Sequence, residues 1–461
     1  MSLRRVTVNR RPYIVLNICM LIAILGSSIV GAQIGPISLN KIGLIPLLIY
    51  LLAEYLAAYS ENHSGISIRF MNQGQVWWYV IGLISSVIGL FRFNIGREFV
   101  GYYSNLINYL IQIIIFYIPL LLLTASYKRK DVLLQAFKTS LLLTCRIQMI
   151  WAFLQFVLYT GIHFDLNKEI LVNTLGGLGR DTWTVFLWDY GAPVLRISGL
   201  NYDGAFLGYI LLIGFIFDDN KIMKVAYTTT ILLSLQRSAL LGLVLVIMYI
   251  TMAYLIKVKN SLKPIRYTVV SIALIVIFII VLDRIPIVND YFTKFMARFD
   301  FLQANALTNL SSSSSRHILY LPYSVKTLFS IDPIVSILGI GPRASGVALT
   351  LNIQDLKALT LDSNMVGASW AIECDFAEIL LGTGILGAIA YYWGCYLLYR
   401  QGNLKIRAYI IALIGVGLMY DFSHLTITHM LLTFMYLFVR YYTVGKPGIR
   451  IHTKVVSKLV I

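Results

Sequence analysis

Three arginines and three proton-accepting groups stand out for chemistry: Arg196, Arg237 and Arg316, with Glu373, Asp375 and His317. Arg237 is the most telling, because Gln236-Arg237-Ser238 interrupts an apolar run from Val225 to Ile256. Were that run one tilted helix, the guanidinium would lie near mid-bilayer at a cost of at least about 3 kcal/mol, so the chain turns there or the charge faces a wet, protein-lined cavity. Arg196 stands just ahead of an apolar segment in VLRISGLNYDGAFLGY, a position where an arginine also snorkels to the interface. Arg316 follows the polar stretch Asn309 to Ser315, whose last serines are suited to cap a helix starting near Arg316. A planar guanidinium grips phosphate in a bidentate way that an ammonium cannot match, so three of them on one side of a membrane suit a pyrophosphate.

Glu373 and Asp375 precede an apolar helix in SWAIECDFAEILLGTGILG. Carboxylates there complement the positive helix N-terminus, or in a half-dry pocket become usable general bases near neutral pH. Glu378, just inside the helix, either shares that role or hydrogen-bonds a neighbouring helix. His317, beside Arg316, is the histidine best placed to matter; His163, His424 and His429 follow no metal-ligand spacing and read as satisfied surface or interface residues. Trp183, Trp188 and Trp370 are candidates for stacking on sugars, whereas Trp77 and Trp78 read as interfacial belt.

The elements that must position these groups are transmembrane helices. Hydrophobic residues make up 58% of the 461 and charged residues 13%, against roughly one quarter charged in an ordinary soluble domain. The formal charge of +17 reads as topology rather than as nucleic-acid binding, because Lys and Arg accumulate in cytoplasmic connections. Apolar windows predict about twelve helices, at 12–31, 42–59, 75–92, 106–126, 132–159, 199–217, 225–236, 238–256, 267–283, 376–399, 405–422 and 424–442. The first reads as a signal anchor retained in the protein. With both termini cytoplasmic, the basic segments at 127–131, 221–224, 257–266 and 400–407 fall inside, and Arg237 lies at the outer turn of a helical hairpin. Two outer connections are long enough to hold elements of their own: a medium loop at 161–196 and a large one at 284–375 with short amphipathic helices. The fold class is thus an all-α polytopic membrane protein, residues 1–461 forming a single transmembrane domain.

Other features carry less. Arg146 and Lys138 in the fifth helix and Glu54 in the second are expected to pair with one another inside the bundle. The four cysteines, Cys19, Cys145, Cys374 and Cys395, have neither disulfide nor zinc spacing. No Walker loop, dinucleotide fingerprint or HExxH is present, so no cofactor and no metal is expected.

In order and spacing, Arg196 with Ser198-Gly199, Gln236-Arg237-Ser238, Ser315-Arg316, Leu338-Gly339-Ile340-Gly341, Glu373-Cys374-Asp375-Phe376 and Gly384-Ile385-Leu386-Gly387 together resemble the Wzy-type O-antigen and capsule polymerases. That superfamily also contains the O-antigen ligases. The resemblance spans roughly residues 190 to 390. It implies a GT-C-like helical bundle in the bacterial inner membrane, acting on undecaprenyl-pyrophosphate-linked glycans, with a Wzz-type chain-length regulator as candidate protein partner. It also implies that Arg196, Arg237 and Arg316 hold the lipid pyrophosphate while Glu373, Asp375 or His317 takes the acceptor's proton. Ligases carry a His where this chain has Glu373, a departure that favours a polymerase. The alternatives are an O-antigen ligase, which transfers finished polymer to lipid A core, and a flippase or other transporter of lipid-linked oligosaccharide.

Overall fold

The computed structural model describes residues 10–30, 33–34, 37–62, 68–92, 102–172, 185–189, 192–201, 203–257, 313–330, 332–346, 349, 372 and 374–444. Glu373, Trp183, Trp370 and the helix expected at 267–283 lie outside the described residues. Among the described residues, six helices are long and apolar enough to cross a membrane: Leu39–Ser60, Gln73–Phe91, Tyr103–Ser126, Lys130–Ile162, Arg237–Ile256 and Asp375–Gln401. Shorter apolar helices, Tyr13–Ser28 and Gly204–Phe217, lie with them. The protein is a helical membrane protein.

In chain order the helices are α1 (Arg10–Ser28), α2 (Leu39–Ile42), α3 (Leu44–Asn62), α4 (Gln73–Arg92), α5 (Tyr102–Ile111), α6 (Ile118–Ser126), α7 (Lys130–Ile162), α8 (Gly204–Phe217), α9 (Lys221–Leu233) and α10 (Arg237–Lys257). They continue as α11 (Ser313–Ser330), α12 (Pro333–Leu338), α13 (Asp375–Gln401), α14 (Leu404–Gly417) and α15 (Thr426–Val444). Two antiparallel hairpins depart from the all-α expectation: β1 (Gln33–Ile34) with β2 (Ile37–Ser38), and β3 (Val185–Asp189) with β4 (Ala192–Arg196). The second lies in the medium loop, where VFLWD and APVLR pair antiparallel with Trp188 opposite Pro193.

The apolar run around Arg237 is a hairpin, as its charge demands. Asn220 caps α9 by accepting from the Ile222 amide at 2.9 Å, and the helix stops at Leu233. Leu235 takes φ 54° in the turn, and α10 begins with Arg237. Asp203 caps α8, accepting from the Ala205 amide at 2.7 Å, and the same oxygen accepts from Gln236 Nε2 at 3.2 Å. One carboxylate therefore ties the start of α8 to the α9–α10 turn.

Helix α13 is the spine of the site. It packs on α4 backbone to backbone: a Cβ on Gly74 would meet the Gly394 amide nitrogen at 2.2 Å, an approach open only to glycine. Its course breaks at Gly384, with φ 66° and ψ −172°, which frees carbonyls of the preceding turn. The chain after α12 uses them. The Ile340 amide donates to Leu381 O at 3.0 Å and the Gly341 amide to Gly382 O at 2.9 Å, while Ser85 Oγ of α4 also donates to Gly382 O at 2.6 Å. Gly339, at φ 82°, passes so near that an added Cβ would meet Gly382 O at 2.3 Å.

The intramembrane charges pair otherwise than expected. Arg146 bonds Asp218, through Nε at 3.0 Å and Nη2 at 2.9 Å, with the Tyr227 hydroxyl donating to the same carboxylate oxygen at 3.3 Å. Asp218 caps the C-terminal end of α8, whereas Glu54 and Lys138 are both exposed. This bond holds the α8–α9 connection to α7. Trp78 is likewise no belt residue: it is fully buried against α13, 4.7 Å between centroids from Tyr391.

Candidate functional site

The first turns of α13 gather the polar residues of one bundle end. Asp375 is buried and accepts at Oδ1 from the backbone amides of Phe422 at 2.9 Å and Ser423 at 2.7 Å. It lies within hydrogen-bonding reach of the Asp421 carboxyl. A helix-start carboxylate thereby fixes the connection between α14 and α15, and that connection delivers His424. Glu378, one turn on and fully buried, accepts from the Arg343 amide and from Ser345 Oγ, and His424 Nε2 lies 3.5 Å from its Oε1.

Glu378 thus holds the arm that follows the Gly339–Gly341 strip, and the arm ends on Arg343. Arg343 takes φ 64°, a left-handed conformation that costs an arginine energy and persists only because its amide is clamped. Asn105 Nδ2 donates to its carbonyl at 3.4 Å. With Glu378 engaged at the backbone, the half-buried guanidinium makes no ion pair among the described residues, and it lies close enough to Lys41, Tyr109 and Tyr117 to interact with them electrostatically. Two cations near enough to feel each other's charge raise the local preference for an anion.

An aromatic wall backs this arm. The π-turn Gln112–Tyr117 between α5 and α6 places Tyr117 over His429, rings 3.9 Å apart and stacked. Tyr109 meets His424 edge-on at 5.6 Å, and Trp78 stacks on His429 at 5.2 Å. π-turns interrupt helices mostly where function requires a particular side chain to be aimed. Both histidines, expected as satisfied surface or interface residues, are buried between α4, α5, α13 and α15.

The expected residues fall as follows. Arg237 opens α10 half-buried, with Asp203 and Gln236 beside it, and Phe206 of α8 bridges to the α14–α15 connection through ring contacts with Tyr420 at 5.3 Å and Phe422 at 6.1 Å. Arg237, Asp375, Glu378 and Arg343 therefore belong to one end of the bundle. Arg196 is the last residue of β4, opposite Val185, and Trp188 lies in β3. Arg316 and His317 occupy the first turn and a half of α11, which packs on α13. Cys374, buried just ahead of α13, has its thiol pushed up to about 11 by burial, which argues against thiolate chemistry there. Among the described residues no three His, Cys, Asp or Glu side chains converge as metal ligands.

Arg343, Ser345, His424 and Asp421 were not legible as site residues. A signal for the first existed: Arg343 directly follows Gly339-Ile340-Gly341-Pro342, a turn whose glycines already imply close backbone approach. No protein-family model and no curated protein matches this chain.

Proposed function

We propose that the protein is a glycosyltransferase of the bacterial inner membrane that polymerises undecaprenyl-pyrophosphate-linked oligosaccharide repeats into O-antigen or capsule-type polysaccharide. The observation that supports this reading most is the Glu378 clamp, which fixes the backbone of Arg343, a half-buried cation with no ion pair among the described residues, at the bundle end that also carries Arg237. In this reading that end is extracytoplasmic. The opposite end, with Lys130, Lys221, Lys224, Arg400, Lys405 and Arg407, faces the cytoplasm, in keeping with the positive-inside rule.

The donor is the growing chain on its lipid pyrophosphate. A hydroxyl of the incoming lipid-linked repeat attacks the anomeric carbon, a new glycosidic C–O bond forms, and the old C–O bond breaks with its electron pair leaving on the pyrophosphate. Arg237, Arg196, Arg316 and Arg343 neutralise the charge growing on that leaving group. The hydroxyl proton passes to a carboxylate at the start of α13, Glu373 first and Asp375 second, or to His317. Asp375 Oδ1 already accepts two amides, so its free capacity lies at Oδ2.

A deletion strain tests the reading by the pattern of its surface polysaccharide. Loss of a polymerase leaves a single repeat on the lipid A core, and loss of a ligase leaves bare core with polymer stranded on the carrier. Transport of lipid-linked oligosaccharide draws on one observation, the polar residues buried within the bundle along α15. Purified protein that lengthens lipid-linked glycan in a closed reaction excludes it.

A further inference from the structure

Along α15, Thr426, His429, Thr433, Tyr436 and Arg440 recur every three or four residues and so share one face. The first four are buried. A polar stripe inside a membrane bundle is costly and marks a functional path by default. Its inner part is fully paired: Gln75 Nε2 of α4 donates to Thr433 Oγ1 at 3.1 Å and to the Tyr79 hydroxyl at 2.7 Å, and that hydroxyl lies 2.8 Å from His429 Nδ1. Arg440 Nε donates to the Tyr436 hydroxyl at 2.9 Å.

Pairing fails at one junction. Among the described residues, His429 Nε2, both ring nitrogens of His424, Trp78 Nε1 and the Tyr109 hydroxyl are buried without a hydrogen-bond partner. His424 Nε2 is near enough to Glu378 for an ion pair when protonated, yet at 3.5 Å it makes no hydrogen bond. These atoms belong to neighbouring rings, Trp78 lying 5.2 Å from His429 and 6.0 Å from His424. Each unmet buried polar atom costs about 1–3 kcal/mol, so several at one junction persist only if something polar and small completes their bonds. The titratable groups facing the junction are Glu378 and Tyr391 from α13, Tyr109 from α5, Tyr117 from the π-turn, Tyr79 from α4, and Asp421 and Arg343 from the connections.

We propose that this junction is a water-binding site that relays protons between the Glu378–His424 pair and His429. Water bridges His424 to His429. A proton accepted at one nitrogen of a ring is matched by one released from the other, so each histidine returns to neutrality as its other tautomer. Tyr79, Gln75 and Thr433 extend the bonded row inward. The site does not depend on the glycosyl-transfer reading, and its test involves no sugar.

Two measurements on the full-length wild-type protein in nanodiscs decide it. In radiolytic hydroxyl-radical footprinting, which oxidises side chains next to ordered water, Trp78 and Tyr109 should be labelled at least tenfold faster than Phe434. All three are almost wholly shielded from bulk, at 0%, 1% and 1% exposure, but Phe434 stacks on Phe137 in an apolar layer. In nitrogen-15 spectra of the histidine rings, the N–H protons of His424 and His429 should exchange with deuterated solvent within minutes. Tyr109→Phe, which removes one water partner, should slow that exchange several-fold while leaving the fold intact. Trp78 and Tyr109 labelled no faster than Phe434, or ring protons of either histidine that persist for hours, overturn the proposal.

Discussion

Replacing Gly339 by Ala should dislodge the arm that ends on Arg343. At φ 82° and ψ 175° the residue occupies a region essentially closed to side chains, at a cost of about 1–3 kcal/mol. Its new Cβ would meet Gly382 O at 2.3 Å and the Thr383 amide nitrogen at 2.5 Å, which are backbone atoms that cannot swing aside. The strip must therefore lift, breaking the Ile340–Leu381 and Gly341–Gly382 hydrogen bonds, each worth about 0.5–1.5 kcal/mol net. Taken together the penalty is about 2–6 kcal/mol. Because the strip alone moves, most of it should appear locally. Gly161→Ala is the matched control, since a Cβ there meets nothing within 4 Å. The assay is thermal unfolding in detergent combined with limited proteolysis between residues 339 and 346. Gly339→Ala should be cleaved there many times faster, with the unfolding temperature lowered by several degrees, while the control matches wild type. A Gly339→Ala protein as resistant and as stable as the control would refute the packing argument.

Other outcomes follow from the same geometry. Arg343→Ala should lower polymer extension by about 100-fold or more, as the loss of one charge-stabilising donor does, and Arg343→Lys should recover little of it; the readout is lipid-linked product length in a reconstituted reaction. Arg237→Ala or Arg316→Ala should abolish chain extension while leaving membrane insertion intact, and wild-type-length polymer from both variants would count against their assignment to the pyrophosphate. Glu378→Gln keeps the size but weakens the clamp on Arg343, so activity should fall with little change in membrane insertion, measured in the same reconstituted reaction. Cys374 should resist thiol reagents at pH 8, since burial raises its thiol to about 11 and leaves roughly one molecule in a thousand ionised. Its raised value also fixes a sign: the unfolded chain loses that proton first, so stability is unaffected below pH 9.0 and declines as pH rises toward 11, checked by unfolding temperature across that range.

Helices and their order were largely readable, because an apolar window reports burial in lipid without reference to any neighbour. The break at Gln236-Arg237 was readable for the complementary reason, a charge too costly to leave in a span. What escaped was non-local. The Glu378 clamp joins residues thirty-five positions apart in sequence through a backbone amide, and no side-chain pattern announces a backbone donor. His424 and His429 looked like isolated polar residues, since a stripe at helical spacing becomes a path only when α4 and α5 supply the facing groups. Arg146, Lys138 and Glu54 all lie within apolar stretches and invite pairing with one another, whereas the carboxylate that Arg146 bonds sits at a helix end, at Asp218. The β3–β4 hairpin had a local cue in VFLWD followed by Tyr190-Gly191, overshadowed by the helical character of the rest.

The glycine-to-glycine contact of α4 with α13 near the basic end makes a fulcrum. Beyond it, α13 is continuous only as far as Gly384, where its backbone leaves helical geometry. Residues 375–383, together with the strip at 339–341 that is bonded to them, form a single stiff lever carrying Asp375, Glu378 and Arg343. The Ser85 hydroxyl bonds this lever to α4. Any opening at that end would swing the acidic and basic groups as a unit, with their mutual spacing kept by the bonds that join them.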